Sequence, residues 1–512
     1  MATPVDFLII AGDSSVDFLT NLTSIGEDVR KISYSMYDFH SFLGMRTLGP
    51  YKAAWAAREH GYTVQVISKI QLIDLEELIS LCEEFMDKDT VIGLGTSLLI
   101  YPFENYTKEG FENNLSKKSV LYKMLTVIEH FRSKYNSKVI VGGAQAIAFQ
   151  DITKADHVIQ GESENKLPQL LDKVKRKGIQ KRPYNWQITD CNFKWHPNDF
   201  IVNKEPLPLE TSRGCIFRCK FCRFENIGKK KGTFERSLQC VREELIDNYI
   251  KYGTTHYWIA DDTFNDNDAR VNEFCELVES LPFKISFIGY IRLDLAHHYQ
   301  DTTRRLYRAG LVGCSLGMES FHPEAAQAVG KAFSAKHGRE FLDYFYHDIC
   351  EQNIVMNTCH IIGLPGETSQ SLQKTINWYM KRPHIHINWS ALALSDPKRI
   401  PPEQVTSEFE RNAEEYGYKF FDDKPRTYWE RGEMNSLLAR SIRQDVFRQT
   451  KRHNIVAGEP WTSLHYLSIL GLTPKEARET GWLTLYNEKT HIIRAHNMRY
   501  LELLKKSINY GS

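Results

Sequence analysis

At 512 residues, with 42% hydrophobic, 12% aromatic and 25% charged side chains, the chain has the composition of an ordinary globular protein and excludes a disordered or fibrous one. A length of about 150 residues per domain puts roughly three domains in it. The formal net charge of +1 excludes a global pull on nucleic acid or anionic membrane, so a partner has to be read from local features.

In chain order, the opening MATPVDFLIIAG has an acid ahead of a very short apolar run and no basic segment, so it does not read as a secretory signal. No apolar run approaches the ~18 residues that span a bilayer, and no membrane partner is expected. Residues 1–180 alternate apolar runs with helical patterns, the mark of a parallel sheet covered on both faces. DFLIIAG (6–12) starts the series. GPYKAAWAAREHGY then leads as a helix, ending at Gly61, into the strand TVQVIS. DLEELISLCEEFM leads into TVIGLGTSLLI, and LYKMLTVIEHFRSKY into KVIVGGAQA. ADHVIQGESENKLPQLLDKV closes the series as a short strand, a Gly turn and a helix. The expected domain is doubly wound and Rossmann-like, with about five strands.

From 174 to 206 the period is lost in a basic, proline-containing stretch, and 181–205 is the expected linker. A second alternating series fills 206–400. Its strands are PLPLETS, THYWIADDTF, KISFIGYIRLD, GCSLGMES, IVMNTCHIIGLPGE and HINWSALALS, separated by helical patterns such as SLQCVREELIDNYIKYG. These six units make an α/β fold of the partial (β/α)6 barrel type, whose chemistry collects on the loops at the carboxyl ends of the strands. Residues 401–512 carry no strand pattern. Helical pieces at PPEQVTSEFERNAEEYG and IIRAHNMRYLELLKKSINYG make this a mainly helical region expected to cover substrate.

Three of the ten cysteines, Cys215, Cys219 and Cys222, fall inside eight positions in ETSRGCIFRCKFCRFENIG, on the loop that follows the first barrel strand. The other seven (Cys82, Cys191, Cys240, Cys275, Cys314, Cys350 and Cys359) stand singly, the pattern of a reducing compartment, and the cytoplasm is the expected location. Three thiolates at these gaps can converge on one small metal centre. A structural zinc site closes its tetrahedron with four protein ligands, and the nearest further ligands are Cys240, Cys191 and His196, all outside the loop. A three-cysteine iron–sulfur cube keeps one iron free for an exogenous ligand, as a reaction centre requires.

With this spacing the chain resembles the radical S-adenosylmethionine (SAM) superfamily, whose signature is C-x3-C-x2-C with an aromatic just before the last cysteine, here Phe221. The resemblance implies a 4Fe-4S cluster on the three cysteines, SAM on its open iron, and an external electron donor such as flavodoxin or ferredoxin. Asp261 and Asp262, at the end of the second barrel strand, match polar groups near the methionine amine of SAM, where a solvated turn is the plain alternative. Glu319 and Ser320 match ribose- and methionine-contacting positions. Gly363, Gly366 and Glu367 match an element that supports the adenine. Arg292 is open between pairing with the cofactor carboxylate and a structural salt bridge.

Residues 1 to about 180 resemble the cobalamin-binding modules that precede many such barrels. The matching landmarks are Ser97 and Leu99 in LGTSLLI, Gly142 and Gly143 in VGGAQA, and GESE in place of Gly-Glu-Gly-Glu. DFHSFLG supplies Asp38 and His40, with Gly44 one residue later than in the family's Asp-x-His-x-x-Gly. His40 is thus either the lower axial ligand of cobalt or an ordinary loop histidine. The activity implied is radical C-methylation of a substrate that is a peptide, a nucleotide or a small metabolite. The competing readings are a cobalamin-free radical enzyme of the methylthiotransferase kind and a non-catalytic metal-stabilised binding protein. Residues 1–180 contain only Cys82, whereas methylthiotransferases carry a second cysteine set there. The run GKKKG (228–232) reads as a solvated loop.

Overall fold

Short apolar runs, each followed by a helix, build two parallel sheets. A computed structural model of the chain describes residues 3–12, 45–96, 120–143, 146–175, 186–224, 227–331, 335–400, 402, 405, 407–452 and 460–510. Its contacts divide the chain into two compact units, one of Met1–Pro208, Glu243–Thr254 and Glu488–Ser512, the other of Leu209–Arg242 and Thr255–Asn487.

The first unit runs β1 (Phe7–Ala11), α1 (Leu48–Glu59), β2 (Val64–Ile67), α2 (Leu75–Glu83), β3 (Val91–Gly95), α3 (Val120–Tyr135), β4 (Val139–Gly142), α4 (Ala146–Thr153), β5 (His157–Ile159) and α5 (Ser163–Lys175). Its sheet is parallel in the order β2-β1-β3-β4-β5, a doubly wound sheet with its switch point between β1 and β3. All five residues of β1 are buried, as expected of a central parallel strand covered on both faces. Gly61 ends α1 at φ 89°, where the sequence placed its stop.

Two features of this unit were not legible in the sequence. The described part of the stretch expected as a linker, 186–205, contributes buried side chains: Trp195 and Glu205 are each 1% exposed. The last helix of the chain (Trp482–Tyr510) sends Tyr500, Leu501, Leu504 and Ile508 into the same apolar core as Leu8, Ile10, Leu94 and Phe131. A buried ion cluster ties these parts. Arg46 donates to Glu205 at 2.9 Å, Lys69 to the same carboxylate at 2.6 Å and to Asn497 at 2.9 Å. Burial opposes the charge on Glu205, but Arg46 and Lys69 hold its carboxyl far below the usual range; burial pulls Lys69 down to about 8.

The second unit carries β6 (Leu207–Leu209), α6 (Leu238–Tyr252), β7 (His256–Ile259), α7 (Asp268–Glu279), β8 (Ser286–Arg292), α8 (Gln300–Arg308), β9 (Leu311–Glu319), α9 (Ala335–Tyr344), β10 (Val355–Ile362), α10 (Ser369–Tyr379) and β11 (Ile385–Ala391), with β6 and α6 crossing the boundary between units. The six strands lie in sequential order, and the registers from β7 to β11 are parallel. This is the partial (β/α)6 barrel the alternation implied. Beyond it come α11 (Ser436–Arg452) and α12 (Pro460–Leu470). The helix expected over PPEQVTSEFERNAEEYG shrinks to Glu408–Arg411, because Gly417 at φ 78° turns the chain and Phe409 packs on Tyr416 and Tyr418. Among the described residues no helix is long and apolar enough to cross a membrane.

Replacing Glu205 with Gln leaves two buried cations on a neutral partner. We expect a loss on the order of 3–5 kcal/mol in the urea transition of the first unit; an unchanged midpoint would show that the cluster contributes nothing to holding the C-terminal helix.

Candidate active site

The loop carrying the three cysteines leaves the carboxyl end of β6 and is closed at its base. Arg236 N–H donates to the Thr211 carbonyl at 2.8 Å, and Arg213 N–H to that of Phe234 at 3.0 Å. Inside the loop, Gly228 N–H donates to the Phe217 carbonyl at 2.9 Å and Lys229 N–H to the Cys215 carbonyl at 3.0 Å. Gly228 sits at φ 67° with Arg218 across it, so close that a Cβ would lie 2.1 Å from the guanidinium Nε. Cys215 is buried, and Cys219 and Cys222 are partly exposed. Burial pushes the thiols of Cys215 and Cys222 up, the latter to about 11, and Cys219 adds to both. Phe221, just before the last cysteine, is partly buried.

Among the described residues no three His, Cys, Asp or Glu side chains converge on a position for a single metal ion. A cubane asks for a different arrangement, one iron for each thiolate, and three thiols with no fourth ligand on the loop are the donor set that leaves an iron open. Two of the fourth ligands a zinc knuckle would need are engaged within the first unit. Cys191 lies 3.7 Å from the Lys52 ammonium, and His196 Nδ1 accepts from Asn198 N–H.

The segment after β7 grips this loop. Asp261, fully buried, accepts from Thr211 N–H at 2.7 Å, Thr211 Oγ1 at 2.5 Å and Ser212 Oγ at 2.9 Å. Burial outweighs those bonds and raises its pKa to about 6. Asp262 accepts from the backbone of Gly214 and Asp266 from that of Ile216, while Thr263 Oγ1 lies 3.4 Å from Cys215 Sγ. The two aspartates matched to the cofactor amine thus spend carboxylate oxygens on the cysteine loop. Sequence reasoning passed over Asp266 and Thr263; three aspartates within six residues of one strand end were the available signal.

Arg292 forms the salt bridge offered as one of its two readings: Nε and an Nη bond Asp294 at 3.0 and 2.6 Å. The other Nη lies 3.5 Å from Cys219 Sγ, and the guanidinium rests 3.7 Å over the Phe217 ring. Glu319, at φ 62°, pairs with Lys331 at 2.8 Å, and Lys331 also donates to the Gly317 carbonyl at 2.7 Å. Ser320 donates to Glu367 Oε1, whose Oε2 is buried without a partner; burial raises this carboxyl to about 8, so it carries its proton at neutral pH. Gly363 and Gly366 hold left-handed backbone where a Cβ would come within 2.5 Å of Trp429 and of Glu324.

Strand register sorts the barrel interior into layers. His360 bonds Tyr379 of α10 and stacks on Trp389, so the alternate residues of β10 face inward. One layer is Tyr290, Ser315, Asn357 and His386; the next, toward the cysteine loop, is Arg292, Gly317, Cys359 and Asn388. Asn357 is fully buried with neither amide atom bonded, and Tyr290 is 39% exposed. Trp461 at the start of α12 packs on Trp258 and Tyr290, with centroids 5.5 and 4.8 Å apart. The sequence reading singled out none of Asn357, Tyr290 or Trp461, because an inward strand residue shows itself only through its neighbours.

At the carboxyl edge of the first sheet, Thr96 N–H and Oγ1 both donate to the Gly142 carbonyl, at 2.9 and 3.0 Å. Among the described residues a Cβ on Gly142 would meet only Ile159, at 3.9 Å, and Gly143 turns at φ 111°. Ser97, Leu99 and His40 lie outside the described residues.

Residues 209–379 match the Radical SAM superfamily. The barrel is a radical SAM domain. Domains of this superfamily work with a 4Fe-4S cluster and SAM and draw on an external reductant, which makes the chain an enzyme. An uncharacterized methyltransferase of Pyrococcus horikoshii is 22% identical over 364 residues, 64% of this chain and 76% of that protein. Two solved structures share the fold of both units. The cobalamin-dependent radical SAM enzyme OxsB with aqua-cobalamin bound superposes with a TM-score of 0.54 at 13% identity, over 99% of this chain and 81% of that one. The radical SAM methyltransferase TsrM from Kitasatospora setae, with cobalamin and a [4Fe-4S] cluster bound, gives 0.51 at 14% identity, over 83% and 78%. The chain spans 76%, 66% and 60% of the first three curated relatives it matches.

Asp261→Ala strands buried donors on the cysteine loop, at an expected cost on the order of 1–3 kcal/mol. The variant should keep its far-UV circular dichroism and retain less iron after anaerobic reconstitution and desalting; equal retention would leave Asp261 without a role in holding the loop. Because folded Glu367 keeps its proton up to about pH 8, against an ordinary 4.5, stability is full below pH 4.5 and declines as pH rises toward 8. Glu367→Gln should flatten that decline, read as a smaller drop in Tm between pH 5 and pH 8.5. An identical drop in both proteins would contradict the assignment.

Proposed function

We propose that this chain is a cobalamin-dependent radical SAM methyltransferase acting on carbon. The observation that carries the reading is the three-thiol loop, held at the carboxyl end of the barrel by Asp261, Asp262 and Asp266 and lacking a fourth ligand of its own. Cys215, Cys219 and Cys222 would hold the 4Fe-4S cluster, with SAM on the open iron. When bound, these groups supply a radical able to remove hydrogen from an unactivated carbon, and a corrinoid supplies methyl.

The residues do the rest. Thr263 and Arg292 face the sulfurs of Cys215 and Cys219, the positions from which hydrogen bonds tune a cluster. Glu319, Ser320, Gly363, Gly366 and Glu367, together with Phe221, make up the wall proposed for SAM. The buried, unbonded amide of Asn357 and the Tyr290 ring are the contacts proposed for substrate, with Trp461 packed on that ring. In the first unit Gly142 and Gly143 would admit the corrinoid. Ser97 and Leu99, which follow β3 in sequence, are proposed to join them, and His40 is the proposed axial ligand. Support comes from the fold shared with two enzymes whose structures hold cobalamin. The methylthiotransferase reading asks for a second cysteine set in residues 1–180, whose single cysteine, Cys82, is fully buried. A cytoplasmic location fits the reduced thiols.

Cys219→Ala should abolish the oxygen-sensitive cluster absorbance and 5′-deoxyadenosine formation; stoichiometric zinc with no iron in the reconstituted wild type would sink the reading. Gly143→Val should lose bound hydroxocobalamin after desalting while keeping its iron, and a wild type that retains no corrinoid would turn the reading to cobalamin-free radical chemistry. Asn357→Leu replaces an unpaired buried amide by an apolar group of similar size, so Tm should hold or rise while product formation falls. A drop in both would make Asn357 structural.

A further inference from the structure

Residues 213–233 contain Arg213, Arg218, Lys220, Arg223, Lys229, Lys230 and Lys231 against a single acid, Glu225. Three of the seven are spoken for: Arg213 pairs with Glu210, Lys220 with Glu408 and Tyr416, and Arg223 with Glu410. Among the described residues no carboxylate forms an ion pair with Arg218, Lys229, Lys230 or Lys231. Arg218, Lys230 and Lys231 are exposed. The run that reads as a solvated loop in the sequence therefore lies along the cysteine loop, with Lys229 N–H bonded to the carbonyl of Cys215. Two residues beyond Cys222, the Phe224 ring is 62% exposed. One exposed apolar ring on the same loop as cations without an ion pair among the described residues is the composition of a small, transient docking patch, in which charge steers the encounter and the ring supplies contact area.

We infer that Phe224, Arg218 and Lys229–Lys231 form the docking surface for an acidic one-electron carrier protein, of flavin or iron–sulfur type; this rests on the radical SAM reading of the same loop. The carrier is oxidised by one electron, and that electron ends in reductive cleavage of the SAM sulfonium to methionine and a 5′-deoxyadenosyl radical. The patch reaches a cluster cysteine through a single backbone hydrogen bond, which places a docked carrier near the group that needs the electron. A nucleic acid is the other polyanion such a patch could meet, but a chain of net charge +1 with these four cations on one loop provides no extended phosphate track.

The test uses reconstituted full-length protein and two probes, a purified acidic flavodoxin and bulk transfer RNA. Flavodoxin binding should weaken on the order of tenfold in Lys229→Glu/Lys230→Glu/Lys231→Glu, and again in wild type when salt rises from 50 to 300 mM. Phe224→Ser, which removes no charge, should weaken binding at both salt concentrations. In both variants the cluster absorbance and the dithionite-driven yield of 5′-deoxyadenosine should match wild type, while the flavodoxin-driven yield falls. Unchanged flavodoxin affinity in both variants would overturn the inference, as would tight transfer RNA binding with none to flavodoxin. A wild type that makes no 5′-deoxyadenosine with dithionite would instead fail the underlying enzyme reading.

Discussion

The second unit is organised around one constraint: the loop from Thr211 to Arg236, with its three thiols, has to hold its shape although its described residues form no helix or strand. Three aspartates from the end of β7 meet that demand by taking up donors at Thr211, Ser212, Gly214 and Ile216, a bond at nearly every second residue. The cost appears in Asp261, whose burial outweighs its hydrogen bonds and brings its pKa to about 6. A carboxylate is worth that desolvation where it satisfies several donors at once, because each would otherwise be buried and unpaired.

The same logic explains why residues matched to the cofactor by position carry other partners. Glu319 is closed onto Lys331, Ser320 onto Glu367, and Arg292 onto Asp294 and Cys219. Each pair neutralises a charge or a polar atom at the rim of the barrel, so the interior below it is lined by uncharged groups: amide, hydroxyl, thiol, phenol and imidazole. Asn357 alone in its layer keeps both amide atoms unbonded. Buried polar atoms are normally paired, and one left open on an inward face is where a ligand's complementary group has most to gain.

In the first unit the constraint is different. Glu205, between two buried cations, joins the segment before the barrel to the end of α1's preceding loop and to the C-terminal helix, so residues far apart in sequence share one buried charge network. Such a cluster specifies which segments come together more than it adds stability, since removing all of its charges at once can leave stability little changed while removing one partner is costly.

Alternation of apolar runs and helical periods determined both sheets, because buried parallel strands have to be apolar throughout and the helices between them keep a 3.6-residue stripe. The C-x3-C-x2-C spacing determined where a reacting centre is proposed, since three thiols so close in a chain of scattered single cysteines point to a chemical rather than a packing reason. What only the tertiary structure decided depends on partners distant in the chain. Asp266 and Thr263 become loop anchors only when β6 and β7 lie side by side. Asn357 and Tyr290 become neighbours of one interior layer only through strand register. Trp195 and Glu205 turn an aperiodic stretch into core because Trp195 packs on Tyr51 and Phe193 while Glu205 meets Arg46 and Lys69, the latter also held by Asn497 of the last helix. Periodicity reports which face of an element is buried; it carries no record of which other segment buries it.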